Sequence, residues 1–69
     1  MNRTPVTSTT LTSVGYDPGT LTLELEFTNG TLYQYFDVPE SVHLELLSAS
    51  SLGRYFNQSI RNSYRSVQM

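Results

Sequence analysis

Thr20-Leu-Thr-Leu-Glu-Leu-Glu-Phe-Thr-Asn-Gly-Thr-Leu-Tyr-Gln-Tyr-Phe-Asp-Val38 is the stretch that decides the fold. Leu21, Leu23, Leu25 and Phe27 alternate with Thr22, Glu24 and Glu26, the period-two pattern of a strand with one buried face. Asn29-Gly30 suits a type I′ hairpin turn, whose two central residues both need a positive φ. Leu32 to Val38 then reads as the returning strand. With a two-residue loop, Phe27 faces Leu32, Leu25 faces Gln34, Leu23 faces Phe36 and Leu21 faces Val38 on the core side. Glu26 then lies beside Tyr33, and Glu24 beside Tyr35, on the other side. The alternative is a three-residue loop, Thr28-Asn29-Gly30, with Gly30 left-handed. It shifts the pairing by one, brings both tyrosines to the leucine face and turns Leu32 and Phe36 away. The Asn-Gly pair favours the two-residue loop, and in either register bulky apolar groups on both faces call for a cover on both.

The chain has 69 residues, no cysteine and a net charge of −2. That length makes one domain near the lower limit for folding without staples. Without cysteine there is no disulfide framework and no thiolate metal site. No apolar run is long enough for a membrane span or a signal segment, so a cytoplasmic protein with no membrane partner is expected. The charge is unevenly spread: residues 1–49 hold all six acids and Arg3, whereas residues 50–69 hold Arg54, Arg61 and Arg65 and no acid. The acidic balance argues against non-specific phosphate tracking, and DNA is not expected as a partner.

Upstream of the hairpin, Ser8 to Tyr16 reads as a first strand. Leu11 and Val14 differ in parity, so a bulge near Thr12–Ser13 is needed for both to reach one core. Tyr16-Asp17-Pro18-Gly19 is a turn. Downstream, Asp37-Val38-Pro39-Glu40 opens a helix over residues 39–48, with Asp37 or Val38 as its cap and Val42, Leu46, Leu47 and Ala49 as its apolar stripe. Ser50 or Ser51 can cap a second helix over residues 52–64, with Leu52, Phe56, Ile60 and Tyr64 on one side. Arg54, Gln58, Arg61 and Arg65 form a polar and basic stripe on another. The expected fold is α+β: a three-stranded antiparallel β-meander followed by two α-helices packed on one sheet face. Residues 8–65 form the single domain, and residues 1–7 and 66–69 are flexible termini.

The inventory of chemical groups points away from an enzyme. His43 is the only histidine, and Glu40 and Glu45, at i−3 and i+2, do not share one helix face with it. A solvent-facing His43 is expected, with no metal and no cofactor. There is no nucleophile elbow and no glycine-rich phosphate loop. Ser50-Ser51-Leu52-Gly53-Arg54 is a helix start of the kind that can hold an anion, though most such starts hold only their cap and water. Tyr33 and Tyr35, alternate aromatics on one strand, can stack nucleic-acid bases or pack in a core or interface. Glu24 and Glu26 beside them would repel phosphate, which favours packing or a protein contact.

Val14-Gly15-Tyr16-Asp17, Leu23-x-Leu-x-Phe27-x-Asn-Gly30, Tyr33-x-Tyr35, Val38-Pro39 and Ser51-x-Gly53-x-Tyr55-Phe56-Asn57 with Ile60-Arg61 resemble the KTSC domain over about residues 8 to 65. That family takes its name from a short C-terminal segment of some lysyl-tRNA synthetases, and it also occurs as small bacterial and phage-associated proteins. The resemblance implies no defined activity; RNA binding is the role its synthetase context suggests. Tyr33 and Tyr35 match the family's Tyr-x-Tyr, and Gly53, Phe56 and Asn57 match its downstream motif.

Together these features lead to a small non-enzymatic binding or interaction module, with a protein partner or self-association as the leading expectation. The alternative is an RNA-binding accessory module using Tyr33, Tyr35, Arg54, Arg61 and Arg65, with Asn57 as a further candidate contact.

Overall fold

The computed structural model describes residues 1–69. Five strands form one antiparallel sheet in chain order: β1 (Arg3–Pro5), β2 (Leu11–Asp17), β3 (Thr22–Phe27), β4 (Leu32–Tyr35) and β5 (Ser66–Gln68). Between β4 and β5 come α1 (Glu40–Ser48), α2 (Leu52–Tyr55) and a π-helical turn, Phe56–Ile60. The sheet is thus five-stranded, not the three-stranded meander expected. The added strands come from the two terminal segments. Each is three residues long and lacks apolar alternation, so periodicity could not reveal them. Pro5 in β1 is tolerable because that strand is an edge, where a missing backbone donor breaks no ladder.

The β3–β4 connection takes the three-residue form. The Phe27 amide donates to the Thr31 carbonyl at 2.9 Å and the Gly30 amide donates to the Phe27 carbonyl at 2.9 Å. Gly30 has φ +91°, whereas Asn29 does not have a positive φ. This is a tight turn closed by a left-handed glycine. Asn29 uses its side chain instead, accepting from the Thr31 amide at 3.1 Å and the Thr31 hydroxyl at 2.8 Å. Leu25 therefore pairs with Tyr33, and Leu23 with Tyr35. The two-residue register is overturned: both tyrosines join the leucine face, and Glu24 and Glu26 lie on the opposite one. Leu21 leaves the strand as well, at φ 55°, and its carbonyl accepts from the Val38 amide at 2.9 Å.

A register shift between Leu11 and Ser13 leaves Thr12 as the extra residue, so Leu11 and Val14 both enter the core. That core comprises Leu11, Val14, Leu23, Leu25, Tyr35, Val38, Leu46, Phe56 and Ile60. Both helical segments pack on the same sheet face. α1 contributes Leu46, while Leu47 faces outward at 39% exposure. Its N-cap is Pro39, with no side-chain capping bond, rather than Asp37 or Val38. Ser51 caps α2, its hydroxyl accepting from the Arg54 amide at 3.2 Å. Gly53 is the residue of closest approach: a Cβ there would lie 2.3 Å from the Thr10 hydroxyl, so only glycine lets α2 sit against the segment before β2.

No helix covers the other face. It carries a polar network in which Arg3 pairs with Glu24 and donates to the Ser13 hydroxyl at 2.9 Å. Ser13 in turn donates to Glu26 at 2.8 Å. Gln34 donates to Glu24 at 2.9 Å, which does most to hold that carboxyl below its ordinary pKa, with burial opposing and Arg3 assisting. Glu24 is only 7% exposed, yet its carboxylate is satisfied. The expected cover on this face is thus supplied by long side chains lying over the strands.

His43 is not solvent-facing. Its ring stacks on Tyr16, with centroids 4.7 Å apart and planes 13° from parallel, and the Tyr16 hydroxyl donates to the Val38 carbonyl. Nδ1 is buried without a hydrogen-bond partner. Burial pushes the imidazole below its usual pKa, with Glu40 opposing.

Two outcomes follow from this packing. Phe56 meets Phe27 edge-on at 5.2 Å and Tyr35 at 5.7 Å, so Phe56→Ala should cost about 3–5 kcal/mol in a denaturation experiment. A loss under about 1 kcal/mol would contradict this packing. For His43, a folded-state pKa below the unfolded value of about 6.5 means stability is full above that pH and is lost as pH falls through the folded pKa. An NMR titration should give a His43 midpoint below about 6.5, and His43→Gln should flatten the decline in stability at lower pH. A midpoint at or above that value would contradict the buried stack.

Candidate functional site

The register places Tyr33 and Tyr35 side by side on the helix-covered face, with ring centroids 6.3 Å apart. Tyr35 is buried against Phe56 and belongs to the core. Burial raises its phenol above the ordinary pKa, with Tyr33 adding to the shift and Arg61 opposing it. Tyr33 stands nearer the surface, edge-on to Phe27 at 5.7 Å. The two rings differ in role even though they share a strand face.

Next to them the helical segment changes pitch. From Phe56 to Ile60 the chain makes a π-helical turn, and the Arg61 amide donates to the Phe56 carbonyl at 2.9 Å. Phe56 and Ile60 remain buried through this wider turn. Asn57 and Arg61 then line an open cleft of about 520 Å³ between the π-helical turn and the sheet. Its floor is Phe27, Tyr33, Tyr35 and Phe56. One rim carries Asn57, Arg61 and Asn62; the other carries Ser66 and Gln68 of β5, with Thr10, Asn29 and Thr31 at the hairpin end. π-helical turns recur at functional sites because they displace side chains from the regular helical positions.

Four of the six expected site residues meet here: Tyr33, Tyr35, Asn57 and Arg61. The other two do not. Arg54 is exposed on α2 and does not line the cleft. Arg65 lies beyond the end of the helical segment, where its guanidinium sits 5.6 Å from the Phe36 ring centroid and 3.7 Å from the Asp37 carboxylate. The helix expected over residues 52–64 ends at Ile60, so its basic stripe does not run on to Arg65. Ser66 and Gln68 were missed because residues 66–69 were expected to lie outside the domain. Thr10 could have been suspected only from the close approach that Gly53 permits.

None of the six acidic residues lines the cleft. The groups on offer are ring faces, carboxamides, hydroxyls and one guanidinium, a set suited to recognition of a planar, anionic or hydrogen-bonding ligand. No His, Cys, Asp and Glu side chains converge as a group of three that could hold a metal ion, and no helix is long and apolar enough to cross a membrane.

Comparison with known proteins agrees with this architecture. Residues 7–64 match the family model for the KTSC domain. An uncharacterized protein from Stutzerimonas stutzeri is 52% identical over 58 residues, covering 84% of this chain and 82% of its own. A lysine–tRNA ligase from Nostoc sp. is 44% identical over 54 residues; these cover 78% of this chain but 10% of the ligase. The crystal structure of a KTSC domain protein from Yersinia pestis superposes with a TM-score of 0.94 at 39% identity, covering 99% of this chain and 96% of that one. By family match, sequence identity and superposition, the chain belongs to the KTSC domain family.

Proposed function

We propose that this domain is a non-enzymatic recognition module that binds single-stranded RNA in the aromatic cleft. The observation that carries this reading is the separation of charge. An acidic chain keeps every carboxylate out of the cleft while placing Arg61 on its rim and Tyr33 on its floor. Glu24 and Glu26, whose expected position beside the tyrosines argued against phosphate, lie on the opposite sheet face. An unpaired base can stack on an accessible aromatic ring, and a guanidinium can take the adjoining phosphate. The similarity to a short part of lysine–tRNA ligases, whose substrate is an RNA, is in keeping with this reading.

A protein partner or self-association is the second reading, and a different surface favours it. Leu44 and Leu47 on α1 are 56% and 39% exposed, away from the cleft. Contacts there would leave Tyr33 and Arg61 uninvolved.

Titration with single-stranded RNA separates the two. Stacking contributes roughly 1–3 kcal/mol per base, so Tyr33→Leu should weaken binding about 10- to 100-fold. Tyr35 is unsuitable for this test because it belongs to the core. One phosphate contact gives a shallow salt dependence, and Arg61→Gln should reduce the log–log slope by about 0.7. Wild-type protein with no micromolar affinity at physiological salt, or a Tyr33→Leu variant that binds as well as wild type, would contradict RNA binding at the cleft. A dimer by light scattering that Leu44→Lys disperses would support the second reading.

A further inference from the structure

Resting on the RNA reading of the cleft, we propose that β5 is its base-reading wall, with Gln68 and Ser66 supplying the groups that distinguish one base from another. β5 lies outside the residues matched by the family model, which end at 64. It is nevertheless part of the site. Its register sets Gln68 opposite Tyr33 and Ser66 opposite Tyr35. Residues directly opposite in an antiparallel pair project from the same face. Ser66 and Gln68 therefore stand on the cleft side, while Val67, opposite Gln34, points to the uncovered face.

The polar groups of this wall are specific in number and kind. The Gln68 carboxamide oxygen lies 3.4 Å from the Tyr33 hydroxyl, a long and weak hydrogen bond beside that ring, and its NH₂ can donate to a ligand. The Ser66 hydroxyl can donate or accept. Across the cleft, Asn57 and Asn62 present exposed carboxamides. A base lying on the Tyr33 ring would have its edge between these two polar rims. Stacking tolerates any base, because every base has a π-face. Discrimination must come from hydrogen bonds to the edges of the unstacked base. The strand itself is held by its backbone: the Phe36 amide donates to the Arg65 carbonyl at 2.9 Å, and the Met69 amide donates to the Leu32 carbonyl at 2.8 Å. Its side chains are thereby free to read a ligand without holding the fold together.

The test compares the affinities of oligo-A, oligo-C, oligo-G and oligo-U for wild type, Gln68→Ala, Ser66→Ala and the Val67→Ala control, with circular dichroism confirming an intact fold. Wild type should prefer one base over the least favoured by about tenfold, the worth of one good hydrogen bond to the base edge. Gln68→Ala or Ser66→Ala should bring the four affinities within about twofold of one another, while Val67→Ala should keep the wild-type order. A wild-type preference that survives both cleft-side variants would overturn the proposal while leaving RNA binding standing, as would a wild type that binds all four equally. Absence of binding to all four oligomers would overturn the RNA reading and this inference with it.

Discussion

The left-handed conformation of Gly30 is the constraint on which the rest of the structure depends. Side chains alternate with a period of two along a strand, so the length of the turn decides which set faces the core. Three turn residues put Leu23, Leu25, Phe27, Tyr33 and Tyr35 under the helical layer. They put Glu24, Glu26 and Gln34 on the other face, where Arg3 and Ser13 meet them. A two-residue turn would have mixed the two sets. The tyrosines would have stood beside carboxylates, and Gln34 would have faced the core. One backbone torsion thus sorts the aromatic rings from the acids.

A second constraint builds the cleft from that sorted sheet. α2 sits close to the sheet because Gly53 has no Cβ to strike Thr10. Seven residues after Gly53 the wider helical turn ends at Ile60, still anchored in the core. The chain then leaves the helical layer and returns as β5 beside β4, with Arg65 held against Phe36 and Asp37 on the way. The cleft occupies the gap between the departing helical turn and the returning strand. Tyr35 and Phe56 of its floor are core, Phe27 and Tyr33 are half-buried against them, and its rims are surface, so ligand contacts at the rims cost the fold little.

Much of this was legible in the sequence. The alternation in β3, the bulge demanded by the parity of Leu11 and Val14, the first helix and a serine cap for the second, Ser50 or Ser51, all followed from local rules. So did the central place of Phe56. The features that escaped are those without a local signal. β1 and β5 are short and polar, and they form through tertiary pairing with strands already in place. Asn-Gly is compatible with two turn lengths, and the choice rests on which residues the core must bury. The wider turn at Phe56–Ile60 leaves the spacing of buried residues at four, which also fits an ordinary helix. Of the residues that line the cleft, Tyr33 and Tyr35 could be named as alternate aromatics on one strand, Arg61 from the basic stripe, and Asn57 from the family resemblance. The β5 half of the site could not, because its membership depends on a long-range strand pairing.

The register of the central hairpin is the claim from which the sorted faces, the cleft and the assignment of Tyr33 all descend. Two-dimensional NOE spectroscopy measures it directly. Residues opposite each other without mutual backbone bonds bring their Cα hydrogens close in an antiparallel pair. The structure predicts Hα–Hα cross-peaks joining Glu24 to Gln34 and Glu26 to Leu32, together with ring contacts between Tyr35 and Phe56. Cross-strand peaks that place Leu25 opposite Gln34, with the Phe36 ring rather than Tyr35 against Phe56, would contradict it.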